Sequence, residues 1–201
     1  INKKIKFSLI TSYAVFYDIE EPNEFCAGIE KILDKNGVWI LEFSYFPLLL
    51  KNLTYDQICH EHCTYYSLST FHKIISKNNL KIVDFTLNEI NGGSIEVICA
   101  KKKSRFKSNV NKISHVLQEE KKISNRDFDK FNLRMENSKK NLQLFLKNQN
   151  KKDVIGYGAS TKGNVILNYC NLNNKDISFV CDANPSKEGK FTPGSHIEII
   201  S

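Results

Sequence analysis

"EPNEFCAGIEKILDKNGVWILEFS", residues 21–44, decides the fold. Its first part, 21–37, carries apolar residues at helical spacing and closes on Gly37, which predicts a helix with a glycine stop. Its second part, "VWILEFS" at 38–44, is a continuous apolar run of strand length. Upstream, "IKFSLITSYAVFY" at 5–17 is another such run and reads as a buried strand. Strand, helix, strand with two continuous apolar runs predicts a parallel sheet covered by helices, because strands buried on both faces lose the alternation of polar and apolar residues.

Downstream, "SLSTFHKIISKNNL" at 67–80 makes a further helix, with Ser67 or Ser69 as its N-cap. "KIVDFTLNEI" at 81–90 and "SIEVICAKK" at 94–102 then alternate about Asn91-Gly92-Gly93, a hairpin signal. The sheet is therefore expected to begin parallel and to finish in an antiparallel pair. From 104 to 150 the chain turns polar, with sparse apolar residues at helical intervals and neither proline nor glycine, which predicts a long helix or a helical pair. A second unit opens with "DVIGYGASTKGNVILNYC" at 153–170 and continues through "ISFVCDANP" at 177–185: strand, glycine turn, helix, strand, acid. The expected division is 1–103, a helical linker at 104–150, and 151–201.

Composition narrows the class. With 201 residues and 41% hydrophobic content the chain can bury a core. No run approaches the roughly 20 apolar residues that span a bilayer, and Ile1 to Lys6 lack the features of a secretory signal, so no membrane partner and a cytoplasmic location are expected. Cysteines 26, 59, 63, 99, 170 and 181 form no Cys-x-x-Cys pair and read as reduced thiols. The formal charge of +7 is almost all lysine, with Arg105, Arg126 and Arg134 the arginines, which argues for a solvated basic face rather than a nucleic-acid reader; an anionic small substrate fits. Both ends interrupt strand-like runs, Ile5 to Ile10 and "HIEII" at 196–200, so the chain is expected to be part of a longer protein.

In the second unit, Gly156-x-Gly158 between strand and helix lets backbone amides approach a pyrophosphate at the positive helix end. Asp182 then closes the next strand, where a ribose-binding acid would sit. The third glycine is misplaced for G-x-G-x-x-G, since Thr161 stands there and Gly163 falls two positions late. Without a ligand the same pattern is a tight strand-to-helix turn. Ser160, Thr161 and Lys162 at the helix start supply hydroxyls and an ammonium for phosphate oxygens and favour binding. G-x-x-x-x-G-K-[ST] cannot be aligned.

"CHEHCTYY" at 59–66 is the other chemically dense stretch. Zinc wants histidines a helical turn apart or paired cysteines with partners further along; His60 and His62 are two apart, Cys59 and Cys63 four apart, and His72, His115 and His196 have no cysteine at ligand spacing. A surface loop with hydrogen-bonded histidines is the plain alternative. Glu61 and the aromatic surroundings Tyr55, Tyr65 and Tyr66 give a histidine a carboxylate partner and a partly apolar wall, the conditions that tune a general base.

"YDQICHEHCTYYSLSTF" (55–71), "NEINGGSIEV" (88–97), "VIGYGASTKGNVILNYC" (154–170) and "CDANPSKEGKFTPGSHI" (181–197) together resemble the C-methyltransferases that add a methyl group from S-adenosylmethionine to keto-deoxysugar nucleotides. The segments occur in the family's order. The resemblance implies an α/β fold: a truncated class I methyltransferase (Rossmann-like) sheet ending in an antiparallel hairpin, followed by a helical linker and a partial second Rossmann-like domain that holds the nucleotide sugar. It implies that a zinc-binding N-terminal domain and the glycine-rich cofactor loop lie outside this chain. Thr11, Ser12 and Tyr13 would be what remains of the cofactor side. The family's base matches His62, with Glu61 beside it and His60 in support; Cys59 stands where some relatives carry tyrosine. Sugar contacts are expected from Cys59, Tyr65, Asn91 and Ser94, the last two explained almost as well by the turn at Gly92-Gly93. Nucleotide contacts are expected from Gly156, Gly158, Ser160, Thr161, Lys162 and Asn164. The substrate implied is a keto-deoxysugar nucleotide, with no metal at the reacting carbon. Two other classes fit the residues less well: a nicotinamide-dependent oxidoreductase using "GYGASTKG", and a non-catalytic sugar-nucleotide-binding protein.

Overall fold

A computed structural model of the protein describes residues 5–201; Ile1 to Lys4, part of the run read for a secretory signal and the start of the expected 1–103 segment, lie outside them. The described residues form two compact units, one of 5–52 and 61–128, the other of 53–60 and 129–201. The helical stretch expected as a separate linker is thus shared out, and an eight-residue excursion, 53–60, belongs with the later part of the chain.

In the first unit the elements run β1 (Phe7–Tyr13), α1 (Pro22–Ile32), β2 (Leu33–Ser44), α2 (Phe46–Asn52), α3 (Leu68–Lys77), β3 (Leu80–Asn88), β4 (Ser94–Lys101) and α4 (Val110–Glu120). The sheet order is β1-β2-β4-β3, with β1 parallel to β2 and both remaining pairings antiparallel. The expected hairpin lies beside β2 through its second strand. Its turn uses Asn91 at φ 54°, Gly92 at φ 80° and Gly93 at φ 135°. A Cβ on Gly93 would stand 2.6 Å from Leu48 Cβ, so glycine there serves both the backbone angle and the packing of α2.

Gly37 does not stop the helix. α1 ends at Ile32, and residues 34–37 form an irregularity in the β1–β2 ladder between the pairs Phe7↔Leu33 and Leu9↔Val38. A Cβ on Gly37 would meet the Phe7 carbonyl oxygen at 2.7 Å, so the glycine permits two strands to close up. Among the described residues β1 pairs with β2 alone, and Phe7, Leu9 and Tyr13 are exposed.

Trp39, Leu41 and Phe43 of β2, Ile95, Val97 and Cys99 of β4, and Ile82 and Phe85 of β3 share one sheet face and form the core with α1 and α3. Phe16, fully buried in the short turn after β1, lies at the centre, with ring centroids 4.9 Å from Tyr66 and 5.2 Å from Phe71. Burying such a side chain stabilises by roughly 1.5–3 kcal/mol. Here it also fixes the turn that carries Tyr17 and Asp18. α3 starts at an N-cap, Ser67, whose hydroxyl accepts from Thr70 N–H. Two further N–H groups at this end donate to Glu120 of α4, Leu68 to Oε1 at 2.7 Å and Ser69 to Oε2 at 2.8 Å.

The second unit holds most of α5 (Asn125–Lys147), then β5 (Gly156–Tyr157), α6 (Thr161–Tyr169), β6 (Val180–Cys181) and β7 (Ile199–Ile200). Its three short strands are all parallel, in the order β5-β6-β7. Cys170, Leu172, Ile177, Val180 and Ile197 form its core. No described helix is long and apolar enough to cross a membrane.

Candidate active site

The carboxyl ends of β1 and β2, Tyr13 and Ser44, lie at the same end of the sheet as the turn between β3 and β4. In open α/β sheets this end is where ligands bind. The chain leaves β1 through Phe16, Tyr17 and Asp18, and the segment after residue 60 comes back against that turn. Thr64 N–H donates to the Tyr17 carbonyl at 3.2 Å, and the Cys63 thiol donates to the Asp18 carbonyl at 3.6 Å. His62 lies against the Tyr17 ring, centroids 4.4 Å apart and planes at 48°, with the Tyr65 ring at 6.3 Å.

Asp18 is the carboxylate that the sequence reading missed. Burial pushes its carboxyl up, the charge of His62 opposes that shift, and the charge of Glu61 adds to it. His62 therefore has a second acid in its electrostatic environment besides its neighbour Glu61. The only sequence signal was an acid directly after an apolar strand, 44 residues before the histidine.

Tyr65 borders a cavity of about 280 Å³ whose wall also includes Phe46, Ser67, Thr70 and Glu120. Tyr66 bridges to Tyr45 beyond β2. Ser94 is buried, and its hydroxyl donates to the Ile90 carbonyl at 2.9 Å, closing the turn. On the expected cofactor side Thr11 is exposed, Ser12 Oγ accepts from Trp39 Nε1 at 3.1 Å, and the Tyr13 hydroxyl donates to Glu96 Oε2 at 2.6 Å.

Cys59 and His60 fall in the second unit, Glu61 and His62 in the first. Among the described residues no group of three or more His, Cys, Asp or Glu is placed to hold a metal ion.

In the second unit a Cβ on Gly156 would lie 2.8 Å from Val180 Cγ2, so β5 and β6 close on the glycine. Gly158, at φ +87° and with open space around it, donates its N–H to the Cys181 carbonyl at 2.7 Å. Ser160 caps α6, accepting from Gly163 N–H at 3.1 Å; Thr161 and Lys162 are the first two helical residues. Asn164 Oδ1 is buried without a hydrogen-bond partner.

Asp182 is hydrogen-bonded to the turn that precedes α6. Its Oδ2 accepts from Ala159 N–H at 2.8 Å and from Lys187 Nζ at 2.9 Å, while Oδ1 accepts from Asn184 N–H at 2.9 Å. Lys187 Nζ also donates to the Ala159 carbonyl at 2.8 Å. The pair brackets both polar groups of Ala159 and holds the turn in front of α6. Hydrogen bonds from Asn184 N–H, then Lys187, hold the Asp182 carboxyl below its usual range.

Residues 89–201 match the family described as the C-methyltransferase C-terminal domain. The C-methyltransferase NovU of Streptomyces niveus is 31% identical over 198 residues, covering 96% of this chain and 47% of NovU. The chain thus spans about half the length of the curated relative it matches. Among solved structures, a complex of the Haloferax volcanii Trm112 methyltransferase activator with a methyltransferase gives a TM-score of 0.41 at 12% identity, over 48% of this chain and 54% of that one. Magnesium protoporphyrin IX methyltransferase from Synechocystis PCC 6803, with bound SAH, gives 0.38 at 14% identity, over 48% and 46%.

Proposed function

This chain belongs to the C-methyltransferase family, and on that premise we propose that its protein transfers a methyl group from S-adenosylmethionine to a ring carbon beside the ketone of a keto-deoxysugar nucleotide. The observation that carries the reading is His62, held on the Tyr17 ring at the carboxyl-end side of the sheet with Asp18 and Glu61 in its field.

The chemistry follows from the ketone. A hydrogen on the adjacent carbon is acidic because the electron pair left behind spreads onto the ketone oxygen as an enolate. His62 takes that proton; imidazole suits the task because it is largely neutral near pH 7. Tyr17 holds the ring through a tilted ring contact. The donor's sulfonium supplies an electrophilic methyl, its sulfur leaving as a neutral thioether. On the donor's side this chain offers the exposed Thr11, while the Ser12 and Tyr13 hydroxyls are engaged with Trp39 and Glu96.

In the second unit, the start of α6 suits a diphosphate: a helix N-terminus, two hydroxyls and the Lys162 ammonium. Replacing Lys162 by alanine in the full-length protein is expected to weaken nucleotide-sugar binding roughly 10-fold or more, the size of one charge-assisted hydrogen bond. The salt dependence of binding should become shallower, with S-adenosylmethionine affinity little changed, as calorimetric titration at several ionic strengths would read. Equal loss of both ligands would mean misfolding.

The reaction itself is tested by supplying full-length protein with keto-sugar nucleotide and a donor labelled with ¹³C in its methyl group. Carbon NMR should place the label on a ring carbon. Label on oxygen, or oxidation of reduced nicotinamide in place of methyl transfer, would overturn the reading.

A further inference from the structure

After Asn52 the chain leaves the first unit, and residues 53–60 join the second before Glu61 returns. The turn into this excursion is made at Leu53, whose φ of 59° is a left-handed backbone that a leucine holds only where its surroundings impose it. Tyr55 is the anchor. It is 8% exposed, and its ring centroid lies 5.2 Å from that of Tyr169 at the end of α6. Its hydroxyl lies 3.5 Å from Ser138 Oγ on α5 and 3.9 Å from Cys170 Sγ. Tyr169 is itself held, because its hydroxyl donates to Glu136 Oε1 at 2.8 Å and Lys139 Nζ stands 5.1 Å from its ring centroid. The turn after Tyr55 closes on it: Ile58 N–H donates to the Tyr55 carbonyl at 3.0 Å, and Gln57, also buried, donates from Nε2 to Thr54 Oγ1 at 3.1 Å.

From this anchor to the proposed base is a short stretch. Residues 58–61 separate Gln57 from His62, and none of them is buried: Ile58, His60 and Glu61 are exposed and Cys59 is half-buried. Beyond His62 the chain is tied to the first unit at once, by the Cys63 thiol on the Asp18 carbonyl and Thr64 N–H on the Tyr17 carbonyl. The loop bearing His62 is therefore pinned on both sides, and its upstream pin is the seat of Tyr55.

We propose that Tyr55 is a positioning residue for His62. It acts through the chain: seated on Tyr169, it limits the freedom of residues 58–61 and so keeps the imidazole where it can take the proton. Misplacement of a catalytic group by about 1 Å can cost ~10²-fold in rate, so a loop freed at one end loses catalysis before it loses its fold. The hydroxyl's neighbours lie at the long limit of hydrogen bonding, so the ring does the holding. If Tyr55 merely filled the second unit, its loss would instead impair what that unit binds.

The inference rests on the reading of His62 as the base, and His62→Gln is the reference that separates the two. Full-length protein is given keto-sugar nucleotide at saturation in deuterated water. Three quantities are read for each variant: deuterium entry beside the ketone, affinity for the nucleoside diphosphate alone, and the denaturant midpoint. Tyr55→Ala should slow deuterium entry ~10-fold or more and leave nucleoside diphosphate affinity little changed. Tyr55→Phe keeps the ring and should restore most of the rate. Tyr169→Ala should reproduce the loss, and the double alanine variant should lose no more than either single one, because both changes remove the same contact. Tyr169 is half-buried, so Tyr169→Ala compared with Tyr169→Phe carries the test if Tyr55→Ala fails to fold. Wild-type exchange in folded Tyr55→Ala, a fall in nucleoside diphosphate affinity as large as the fall in exchange, or additive losses in the double variant overturns the positioning role and leaves the function standing. If wild type exchanges no deuterium, or His62→Gln exchanges as wild type does, the base reading falls and this inference with it.

Discussion

Replacing His62 by glutamine is expected to cut proton exchange at the carbon beside the ketone by ~10²–10⁴-fold, the usual contribution of a positioned base, while nucleotide-sugar affinity changes little. Glutamine keeps the approximate size and the contact with Tyr17 but cannot take up a proton at neutral pH. The measurement avoids methyl transfer: full-length protein and keto-sugar nucleotide are held in deuterated water, with an unreactive donor analogue if closure needs one, and deuterium entry is followed by NMR. His60→Gln is the control, since His60 falls in the second unit and His62 in the first, beside Tyr17. Wild-type exchange in His62→Gln together with loss in His60→Gln would move the base to the other histidine. Removal of Asp18 gives a graded comparison: Asp18→Asn should slow exchange less than His62→Gln, because it alters the field around the base and leaves the base in place.

Replacing Glu120 by alanine should lower stability by about 2–4 kcal/mol, the sum expected when a charged acceptor is taken from several donors at once. Its carboxylate accepts from the Tyr45 hydroxyl at 2.6 Å, from Leu68 N–H at 2.7 Å and from Ser69 N–H at 2.8 Å. It therefore ties the end of α4 to the start of α3 and to the residue following β2. The Tyr45 phenol is pushed up by burial first and by Glu120 second, so it stays a donor throughout the neutral range. Denaturant unfolding should show a lower midpoint. Hydrogen exchange should speed up first at Leu68 and Ser69, and Tyr45→Phe should cost only about 1 kcal/mol because it removes one of the three bonds. Unchanged protection at Leu68 in the alanine variant would show that the carboxylate does not hold the helix start.

Much of the fold was legible because periodicity reports burial. The hairpin about Asn91, the helix beginning at Ser67 and the glycine turn before Thr161 are all local patterns, and all form where the residues indicate. What the residues concealed was pairing. Gly37 reads as a helix stop until the Phe7 carbonyl is seen against it. The site divides the same way. His62 and Glu61 are visible as a motif, whereas Tyr17 and Asp18 reach them only through a fold-level return of the chain. Asp182 stands at the expected strand end, while its bonds to Ala159, Asn184 and Lys187 were not legible in the sequence.

The excursion at 53–60 has a consequence for synthesis. Tyr55 and Gln57 are buried in the second unit, among residues from 129 onward. A ribosome adding about 5–20 residues per second delivers 53–60 several seconds before any of those partners exist. During that interval the first unit can gather its aromatic core around Phe16, but Tyr55 stays in water, next to the loop that carries His62. The nascent chain is thus expected to hold this loop exposed until Ser138, Tyr169 and Cys170 are made. A gene cut between residues 103 and 104 would make that waiting state permanent.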